Sequence, residues 1–322
     1  MPEPALVSII TPSYNQAAFL EQTIRSVLEQ NYPSIEYWVV DGGSSDGSVE
    51  IIRRYAGRLA GWVSEPDRGQ ADAVNKGFAR ATGEYIAWLN SDDLYYPGAL
   101  SEAVRALETT PQAPFVFSDV ESIDEAGRAF NRMRYGDWGL ADLMRFQIIG
   151  QPGVFMRRSA LLETGFLDTS YHYILDHHLW LRLAALGRPR YVPGALWAAA
   201  RAHPGAKNTA QAAGFAPEAL RLAQWLLEDP RFQPLAGQMR KQILAGAHRF
   251  SGFYLAEADQ PKAALRHYAR SFGLSPAAAL QDWRRVFSAL ANAAGLSALQ
   301  EKARQARRRR YQKSADGKQS NR

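Results

Sequence analysis

Short apolar segments alternate with amphipathic helical segments over the first 120 residues of the chain, and this alternation narrows the choice of fold more than any other feature. The apolar segments are rich in β-branched or aromatic residues, as buried parallel strands are. They are Leu6–Ile10, Ile35–Val40, Gly61–Ser64, Tyr85–Leu89 and Phe115–Ser118. The pattern predicts an α/β fold with a mostly parallel sheet and crossover helices.

Two of the segments between these strands have helical periodicity. Residues 20–28 carry apolar side chains at helical spacing before Pro33, and residues 71–81 do so before Gly83. We expect each to be a helix that connects two parallel strands. Ligands bind such sheets at the carboxyl ends of the strands, so the polar residues that follow each strand are the first candidates for function.

The composition limits the kind of metal site that the chain can build. Its 322 residues suffice for one large α/β domain and a smaller appendage, and they include no cysteine. Disulfides and thiolate ligands are therefore excluded, and a metal would need oxygen or imidazole ligands. Such ligands favour Mn²⁺ or Mg²⁺.

The net charge of +6 is concentrated at the carboxyl terminus. Residues 301–322 carry nine Lys or Arg against two acidic residues, a local +7, so the rest of the chain is near neutral. The basic character therefore does not indicate a nucleic-acid-binding fold. From about residue 206 the sequence becomes rich in Ala and Leu with helical spacing. We predict a catalytic domain over 1–205, a helical region over 206–300 and a basic, disordered tail over 301–322.

The chain shows no sign of export or of membrane insertion. Its first residues lack a basic stretch followed by an apolar run, and no apolar segment approaches the roughly 18 residues that cross a bilayer. We therefore expect a cytoplasmic protein. The basic tail suggests peripheral contact with an anionic membrane surface, although a solvated tail explains the same charges.

Polar turns follow the first two predicted strands. Thr11–Asn15 follows one and Asp41–Gly47 the other. Asp41 could accept the imide N–H of a uracil or thymine while Tyr14 borders the base, or Asp41 and Asp46 could cap turns and helices. The glycines here do not form the G-x-G-x-x-G pattern, so a dinucleotide cofactor is not indicated.

The four residues Asn90-Ser91-Asp92-Asp93 follow the fourth predicted strand. Adjacent carboxylates at a strand end provide hard oxygen ligands for a divalent cation, which would stabilise a diphosphate leaving group. The alternative is a cap for the helix that starts near Pro97.

Two further polar sites lie later in the chain. Asp176 stands at the predicted start of a helix, where it could act as a general base or cap the helix. The neighbouring His177 and His178 are assigned no role. His203 could complete a metal shell or contact a diphosphate, but a structural role is the more common use of a single histidine.

Five short motifs, in this order and spacing, resemble those of the family 2 glycosyltransferases, which have a GT-A fold. They are Val7–Asn15, Val40–Gly47, Glu65–Gln70, Asn75–Gly77 and Asn90–Asp93. The resemblance is dense over residues 5–100 and looser to about 205. It implies an α/β sheet of GT-A type followed by a small all-α region.

The resemblance also implies roles for individual residues. Asp92 would hold the metal at the position of the family's D-x-D motif, where Asn90 replaces the more common aspartate and can still bind a ribose hydroxyl. Asp176 would be the base. The implied donor-binding residues are Thr11, Pro12, Tyr14, Asp41, Gln70, Asn75, Asn90 and Ser91, and the implied metal ligands are Asp92, Asp93 and His203.

The expected activity is that of an inverting glycosyltransferase. It would move a sugar from a nucleotide diphosphate, most simply a UDP-sugar, to a glycan or lipid-linked acceptor in the synthesis of a cell-surface polysaccharide or glycolipid. In the helical region, one tetratricopeptide-like repeat is indicated by spacing. Its residues are Gly252, Leu255, Ala264, Tyr268 and Pro276.

Two alternatives remain open from the sequence. A sugar-nucleotide nucleotidyltransferase would use a related sheet, but it usually needs a glycine-rich basic loop after the first strand, and Thr11–Gln16 contains neither glycine nor a basic residue. A non-catalytic scaffold would use the helical region and the basic tail to recruit partners.

Overall fold

The computed structural model describes residues 3–293 and 311–312. The chain divides into two compact units. The first comprises residues up to Ser122 together with Arg132–Gly139 and Ile149–Arg201. The second comprises Ile123–Asn131, Leu140–Ile148 and the residues from Ala202 onward. The predicted basic tail lies outside the described residues apart from 311–312.

One sheet has nine strands in the described part of the chain, ordered β3-β2-β1-β4-β8-β6-β9-β5 with β7 beside β6. The strands are β1 Val7–Ser13, β2 Ile35–Asp41, β3 Gly61–Ser64, β4 Tyr85–Trp88, β5 Leu94–Tyr95, β6 Phe115–Ile123, β7 Ala129–Met133, β8 Val154–Arg157 and β9 Arg190–Arg201.

The helices of residues 3–293 complete the architecture. Those up to residue 201 are α1 Ala17–Leu28, α2 Ser48–Tyr55, α3 Gln70–Phe78, α4 Ala99–Thr109, α5 Leu140–Met144, α6 Arg158–Thr164 and α7 Leu175–Leu186. The later ones are α8 Lys207–Ala210, α9 Phe215–Glu228, α10 Leu235–Gln238, α11 Arg240–Glu257, α12 Pro261–Leu274, α13 Pro276–Leu280 and α14 Trp283–Ala293. None of the helices searched in the described residues is long and apolar enough to span a membrane.

The α/β architecture predicted from the sequence is confirmed. Strands β3, β2, β1 and β4 are parallel neighbours, as the apolar segments predicted. The fifth predicted strand, β6, instead joins the sheet through β8, and both of these pairings are antiparallel. The sheet is therefore parallel on one side and antiparallel on the other.

The core of the first unit lies between the parallel strands and their helices. Ile9 and Val39 of the sheet are fully buried, as are Leu20 and Ile24 of α1. Large aromatic rings fill the other side, where Trp88 stacks on Trp180 of α7 with ring centroids 5.3 Å apart. Burial of a side chain of this size stabilises a fold by about 1.5–3 kcal/mol.

The second predicted helix is shorter than its pattern. Helix α3 ends at Phe78 rather than near residue 81. Gly83 therefore does not end this helix. Glycine is needed at this position because a Cβ atom there would lie 2.7 Å from the carbonyl oxygen of Leu6. The residue lets the chain enter β4 directly beside the backbone of β1.

The described part of the second unit contains an antiparallel pair of helices, α11 and α12. A Cβ atom at Gly252 would lie 3.1 Å from the ring of Tyr268, so the two helices approach closely there. Leu255 of α11 and Ala264 of α12 are buried in the same cluster. These residues belong to the predicted tetratricopeptide-like repeat, whose identity remains a prediction.

Candidate active site

The register of the parallel strands brings three polar residues side by side. Ser13 at the end of β1 pairs with Asp41 at the end of β2, and Asp41 pairs with Ser64 at the end of β3. All three stand at the carboxyl edge of the sheet, where the sequence predicted the functional residues to lie.

The carboxylate of Asp41 holds the loop that follows β2. Its Oδ2 accepts hydrogen bonds from the backbone N–H groups of Gly43 (3.1 Å) and Ser44 (2.9 Å) and from the hydroxyl of Ser64 (2.7 Å). Its Oδ1 accepts from the Ser44 hydroxyl at 2.5 Å, and Asp41 is completely buried. These four bonds use most of the acceptor capacity of a carboxylate. Asp41 therefore shapes this loop, and its contact with a nucleobase remains a prediction.

An acidic side chain that sequence analysis passed over lies beside this loop. A Cβ atom at Gly42 would be 2.5 Å from Oδ2 of Asp67 and 3.3 Å from the ring of Tyr14. Glycine at position 42 thus allows a carboxylate and an aromatic ring to approach the backbone together. The Tyr14 ring is 62% exposed, so one of its faces is open to a ligand.

Two of the predicted donor-binding residues are not accessible. Thr11 is completely buried, and its hydroxyl lies 2.9 Å from the hydroxyl of Tyr37 within the sheet. Pro12 is buried beside it. Both residues are part of the buried strand β1, and their predicted part in donor binding remains a prediction.

The capping interpretation holds for Asp46. Its Oδ2 accepts from the N–H of Ala17 at the start of α1 (2.9 Å), and its Oδ1 accepts from the hydroxyl of Ser48 at the start of α2 (2.7 Å). Burial raises the pKa of Asp46, but these hydrogen bonds outweigh burial and leave the pKa lowered. The ionised side chain thus joins the two helix starts.

The side-chain amide of Asn90 is the centre of a hydrogen-bond network. Its Oδ1 accepts from Nε2 of Gln70 (2.7 Å). Its Nδ2 lies 3.1 Å from Oε1 of Gln151 and 3.2 Å from Oδ2 of Asp93. Gln151 is anchored in turn, because its Nε2 donates to the carbonyl oxygen of Trp88 (2.7 Å). An amide suits this position because it donates and accepts at once.

Asp93 faces inward and is held by β9. Its Oδ1 accepts from the backbone N–H of Arg201 (3.0 Å), and burial, reinforced by the negative charge of Asp92, raises the pKa of Asp93 well above its usual range. The guanidinium of Arg201 donates from Nε to the carbonyl oxygen of Asp92 (3.0 Å) and from Nη2 to Gln22 (2.9 Å). Arg201 is itself buried, so it fixes the backbone of this segment.

The side chain of Asp92 is less buried than that of its neighbour. Among residues 3–293 and 311–312, no cluster of three or more His, Asp, Glu or Cys side chains is arranged to hold a metal. Proteins nevertheless usually bind Mg²⁺ through one or two carboxylates, while phosphates and water fill the remaining coordination positions. The oxygen donors present therefore fit such a cation.

Asp176 lies in the first turn of α7, where its Oδ1 accepts from the N–H of His177 (2.7 Å). The pKa of the Tyr135 phenol is raised mainly by burial and further by the charges of Asp119 and Asp176. The hydroxyl of Tyr135 accepts from the N–H of Gly150 (2.9 Å), next to Gln151. Tyr135 thus contacts the backbone directly before Gln151, a member of the Asn90 network.

The other predicted residues have structural partners or lie elsewhere. Asn75 holds the backbone of Leu167, accepting from its N–H (3.0 Å) and donating to its carbonyl oxygen (2.8 Å), and its predicted donor contact remains a prediction. Ser91 is 5% exposed. His203 belongs to the second unit, and its predicted part in metal binding remains a prediction.

Several residues of the site gave only a weak signal in the sequence. Gln151 is 61 positions from Asn90, with which it forms a hydrogen bond. Arg201 is 108 positions from Asp93, to which its backbone N–H donates. Asp67 belongs to the motif Glu65–Gln70, whose polar residues are the sequence signal for it. Tyr135 stood in no recognised motif.

Comparison with known proteins agrees with this fold. The sequence profile described as glycosyl transferase family 2 matches residues 8–164. The glycosyltransferase TuaG of Bacillus subtilis, assigned to teichuronic acid biosynthesis, is 33% identical over 58% of this chain and 75% of its own length. The chain spans only 58% and 31% of the length of uncharacterised glycosyltransferases of Rickettsia typhi and Rickettsia conorii that it also matches.

Two solved structures share the fold over most of both chains. Residues 1–349 of Staphylococcus aureus TarS superpose with a TM-score of 0.62 at 16% identity, covering 94% of this chain and 92% of that one. The mannosyltransferase PcManGT of Pyrobaculum calidifontis superposes with a TM-score of 0.60 at 22% identity, covering 91% and 87%.

The mixed sheet with its polar carboxyl edge is that of a GT-A glycosyltransferase. Within that class, the chain belongs to glycosyltransferase family 2.

Proposed function

We propose that this protein transfers a sugar from a nucleotide diphosphate to an acceptor hydroxyl with inversion at the anomeric carbon. The observation that supports the proposal is the hydrogen-bond network of Asn90 and Gln151 after β4, next to Tyr135, whose hydroxyl accepts from the N–H of Gly150 and whose phenol is influenced by the charge of Asp176. We propose that Asp92, after β4, and Asp176, on α7, act on the same substrate.

The donor would lie along the carboxyl edge of the parallel strands. The exposed Tyr14 ring next to Asp67 and the loop shaped by Asp41 offer a surface for the nucleotide base. The solved PcManGT complex contains GDP-mannose and Mn²⁺, and a TarS complex contains UDP-GlcNAc. These neighbours support a nucleotide-sugar donor here, and the motif pattern favours a UDP-sugar.

We propose Asp92 as the protein ligand of a Mn²⁺ or Mg²⁺ ion. When bound, such an ion stabilises the negative charge of the departing diphosphate. Both oxygens of Asp93 already accept hydrogen bonds, from Arg201 N–H and from Asn90, so Asp93 is better suited to hold the segment than to bind the ion directly. This refines the prediction that both carboxylates are ligands.

Asp176 would remove the proton from the acceptor hydroxyl as its oxygen attacks the anomeric carbon. Asp176 lies in the first turn of α7 and is only partly buried, and its charge contributes to the raised pKa of Tyr135. A carboxylate in the ionised form is competent for this task at neutral pH. The acceptor oxygen forms its new bond to the anomeric carbon as the bond from that carbon to the diphosphate oxygen breaks.

The acceptor is proposed to be a glycan or a lipid-linked molecule at the inner face of a cell membrane. The nine basic residues of 301–322 would add attraction to anionic lipids, at about 1 kcal/mol for each residue near the surface. Deletion of residues 301–322 should weaken co-sedimentation with anionic vesicles, and unchanged binding would contradict this part of the proposal.

The donor class is tested by thermal unfolding with a panel of UDP-, GDP- and dTDP-sugars in the presence of Mn²⁺. A bound ligand raises the unfolding temperature by mass action, so one base should stand out from the others. Release of the nucleoside diphosphate then distinguishes sugar transfer or hydrolysis from nucleotidyl transfer, which releases pyrophosphate. Protection by no sugar nucleotide at millimolar concentration would contradict the proposal.

A further inference from the structure

Helix α14 has two faces of different character. Val286 and Ala289 pack into the buried cluster of the second unit. Trp283, Phe287 and Leu290 follow one another at intervals of four and three residues on a separate, exposed stripe of the helix and are 50%, 63% and 48% exposed. These three residues are called the α14 apolar face below. Residues three and four apart share one side of a helix, so the three side chains are neighbours.

Exposure of such large side chains together is unusual in a folded protein. The rings of Trp283 and Phe287 meet edge to face with centroids 5.9 Å apart, so the face is ordered by its own contacts. All eight tryptophans of the chain lie within residues 3–293, and Trp283 is the only exposed one among them. The other seven are buried or partly buried.

Positive charge borders the α14 apolar face. The guanidinium of Arg284 lies 5.3 Å from the centre of the Trp283 ring, and both Arg284 and Arg285 are exposed. Asp282, at the start of this segment, is engaged by Arg249 and Arg285. The sequence then continues into 301–322 with its nine basic residues. Apolar and cationic groups therefore occur next to each other in the chain.

This combination matches the chemistry of an anionic lipid surface. A helix that lies in the membrane interface buries tryptophan, phenylalanine and leucine among the acyl chains while arginine and lysine meet the phosphates. The apolar side chains could bind a protein partner equally well. A protein partner, however, would not explain the excess of positive charge beside them. Charge complementarity thus favours lipid.

We propose that the α14 apolar face inserts into the interfacial layer of an anionic membrane, with the basic segment 301–322 binding the headgroups. The inference rests on the membrane contact proposed above and adds an apolar component to it. Two weak signals together give stable attachment where one alone gives only transient binding. The helix would lie along the surface, without crossing it.

Insertion is tested first by the fluorescence of Trp283 in the full-length protein. Vesicles of phosphatidylcholine and phosphatidylglycerol that carry bromine on the acyl chains should quench part of the emission, and Trp283→Phe should remove that part while vesicle binding persists. Equal quenching in the wild type and in Trp283→Phe would overturn the proposal. Vesicles of phosphatidylcholine alone should quench much less.

Binding strength is tested with the double variant Trp283→Ser/Phe287→Ser. Its partition coefficient on the anionic vesicles should fall about tenfold or more, because two apolar side chains no longer leave water. Leu162→Ser is the matched control, since Leu162 is 50% exposed on α6 of the first unit, and it should bind like the wild type. Thermal unfolding of each variant confirms that it is folded.

A third variant separates this inference from the proposed role of the basic segment. Changing Arg307, Arg308, Arg309 and Arg310 to Gln should weaken binding and increase its resistance to salt. If this change lowers binding and Trp283→Ser/Phe287→Ser does not, the α14 inference fails while the electrostatic contact stands. If the double variant instead turns a wild-type dimer into a monomer without changing vesicle binding, the face joins two copies and the inference also fails.

Discussion

Nδ2 of Asn90 lies 3.1 Å from Oε1 of Gln151, and the opposite end of Gln151 is fixed by the carbonyl oxygen of Trp88. This pairing sets the direction of the Asn90 amide, since Gln151 cannot turn round without placing its own oxygen against that carbonyl. The asparagine that replaces the more common aspartate of the family motif is thus built into the network and is not a neutral exchange.

Asn90→Asp should therefore destabilise the protein. The new carboxylate would stand near Oδ2 of Asp93 and Oε1 of Gln151, where Nδ2 now lies at 3.2 and 3.1 Å. These two oxygens of Asp93 and Gln151 would then lose the donor that Nδ2 provides. A buried acceptor left without its partner costs about 1–3 kcal/mol. Urea unfolding without divalent cations measures the loss, and Asn208→Asp at an exposed position is the control. Equal or greater stability of Asn90→Asp would contradict the network.

Arg201→Lys tests how much the site depends on support from β9. Lysine keeps the positive charge and the backbone N–H, but it cannot reproduce the two bonds from Nε and Nη2 to Asp92 and Gln22. Loss of such outer contacts around a metal site typically costs 10–100-fold, so we expect kcat/KM to fall by about that factor. Arg188→Lys, at a 63% exposed side chain, is the control and should leave kcat/KM unchanged.

If both arginine variants are equally active, Arg201 has no positioning role. A fall in activity matched by loss of the folded state would instead indicate a purely structural role. The Mn²⁺ dependence separates these cases, because a positioning role predicts that more Mn²⁺ is needed for half-maximal rate in a protein that is still folded.

Much of the fold can be predicted from the sequence, because the residue pattern within a single strand or helix is enough to identify that element. Strands β1, β2 and β4 fall in segments rich in β-branched or aromatic residues, and α1 and α3 have clear helical spacing, so pattern alone identifies them. Strand β9 contains Pro193 and Gly194, which interrupt a strand pattern, and β8 is only four residues long. Their pairing is decided by contacts across the chain, so the antiparallel side of the sheet was not predicted.

In the candidate site, too, local motifs predict the position of some residues, while contacts between distant parts of the chain could not be predicted. The motifs placed Asp41, Asn90 and Asp92 correctly at strand ends, because strand order fixes where the chain emerges. They did not reveal that Thr11 points into the core or that Asn75 binds the backbone of Leu167. Such partners lie 26 and 92 residues away, and no sequence period reports on them.

Asp176→Asn should separate binding from turnover. The amide cannot accept the proton of the acceptor hydroxyl, and general-base help is worth about 10²- to 10⁴-fold, so turnover should fall by at least two orders of magnitude. Donor affinity should remain near that of the wild type, because the proposed donor contacts lie elsewhere. Nucleoside diphosphate release measures the rate, and near-normal turnover would remove Asp176 from this role.

The histidine pair of α11 and α12 predicts acid sensitivity of the helical unit. The Nδ1 atoms of His248 and His267 are 3.2 Å apart, and burial, His267 and Arg270 lower the pKa of His248 to about 4. Burial and Arg270 also lower the pKa of His267. Below the unfolded value of 6.5 the unfolded chain therefore takes up protons before the folded one, and stability falls as the pH drops from about 6.5 to about 4.

His248→Gln should flatten this pH dependence, since it removes the group with the larger shift. Thermal unfolding at about pH 7.5 and about pH 5 gives the comparison, and His172→Gln, at an exposed histidine of the first unit, is the control. The same fall in Tm on acidification for His248→Gln and the wild type would show that other groups are responsible.

The most direct test of the account is titration calorimetry of the sugar nucleotide selected by the thermal panel, with and without Mn²⁺, for the wild type and for Asp92→Ala. The account predicts that Mn²⁺ tightens donor binding to the wild type and has no effect on binding to Asp92→Ala, while the affinity without metal stays similar in both. An equal gain from Mn²⁺ in the two proteins would contradict the assignment of the donor site to the end of β4.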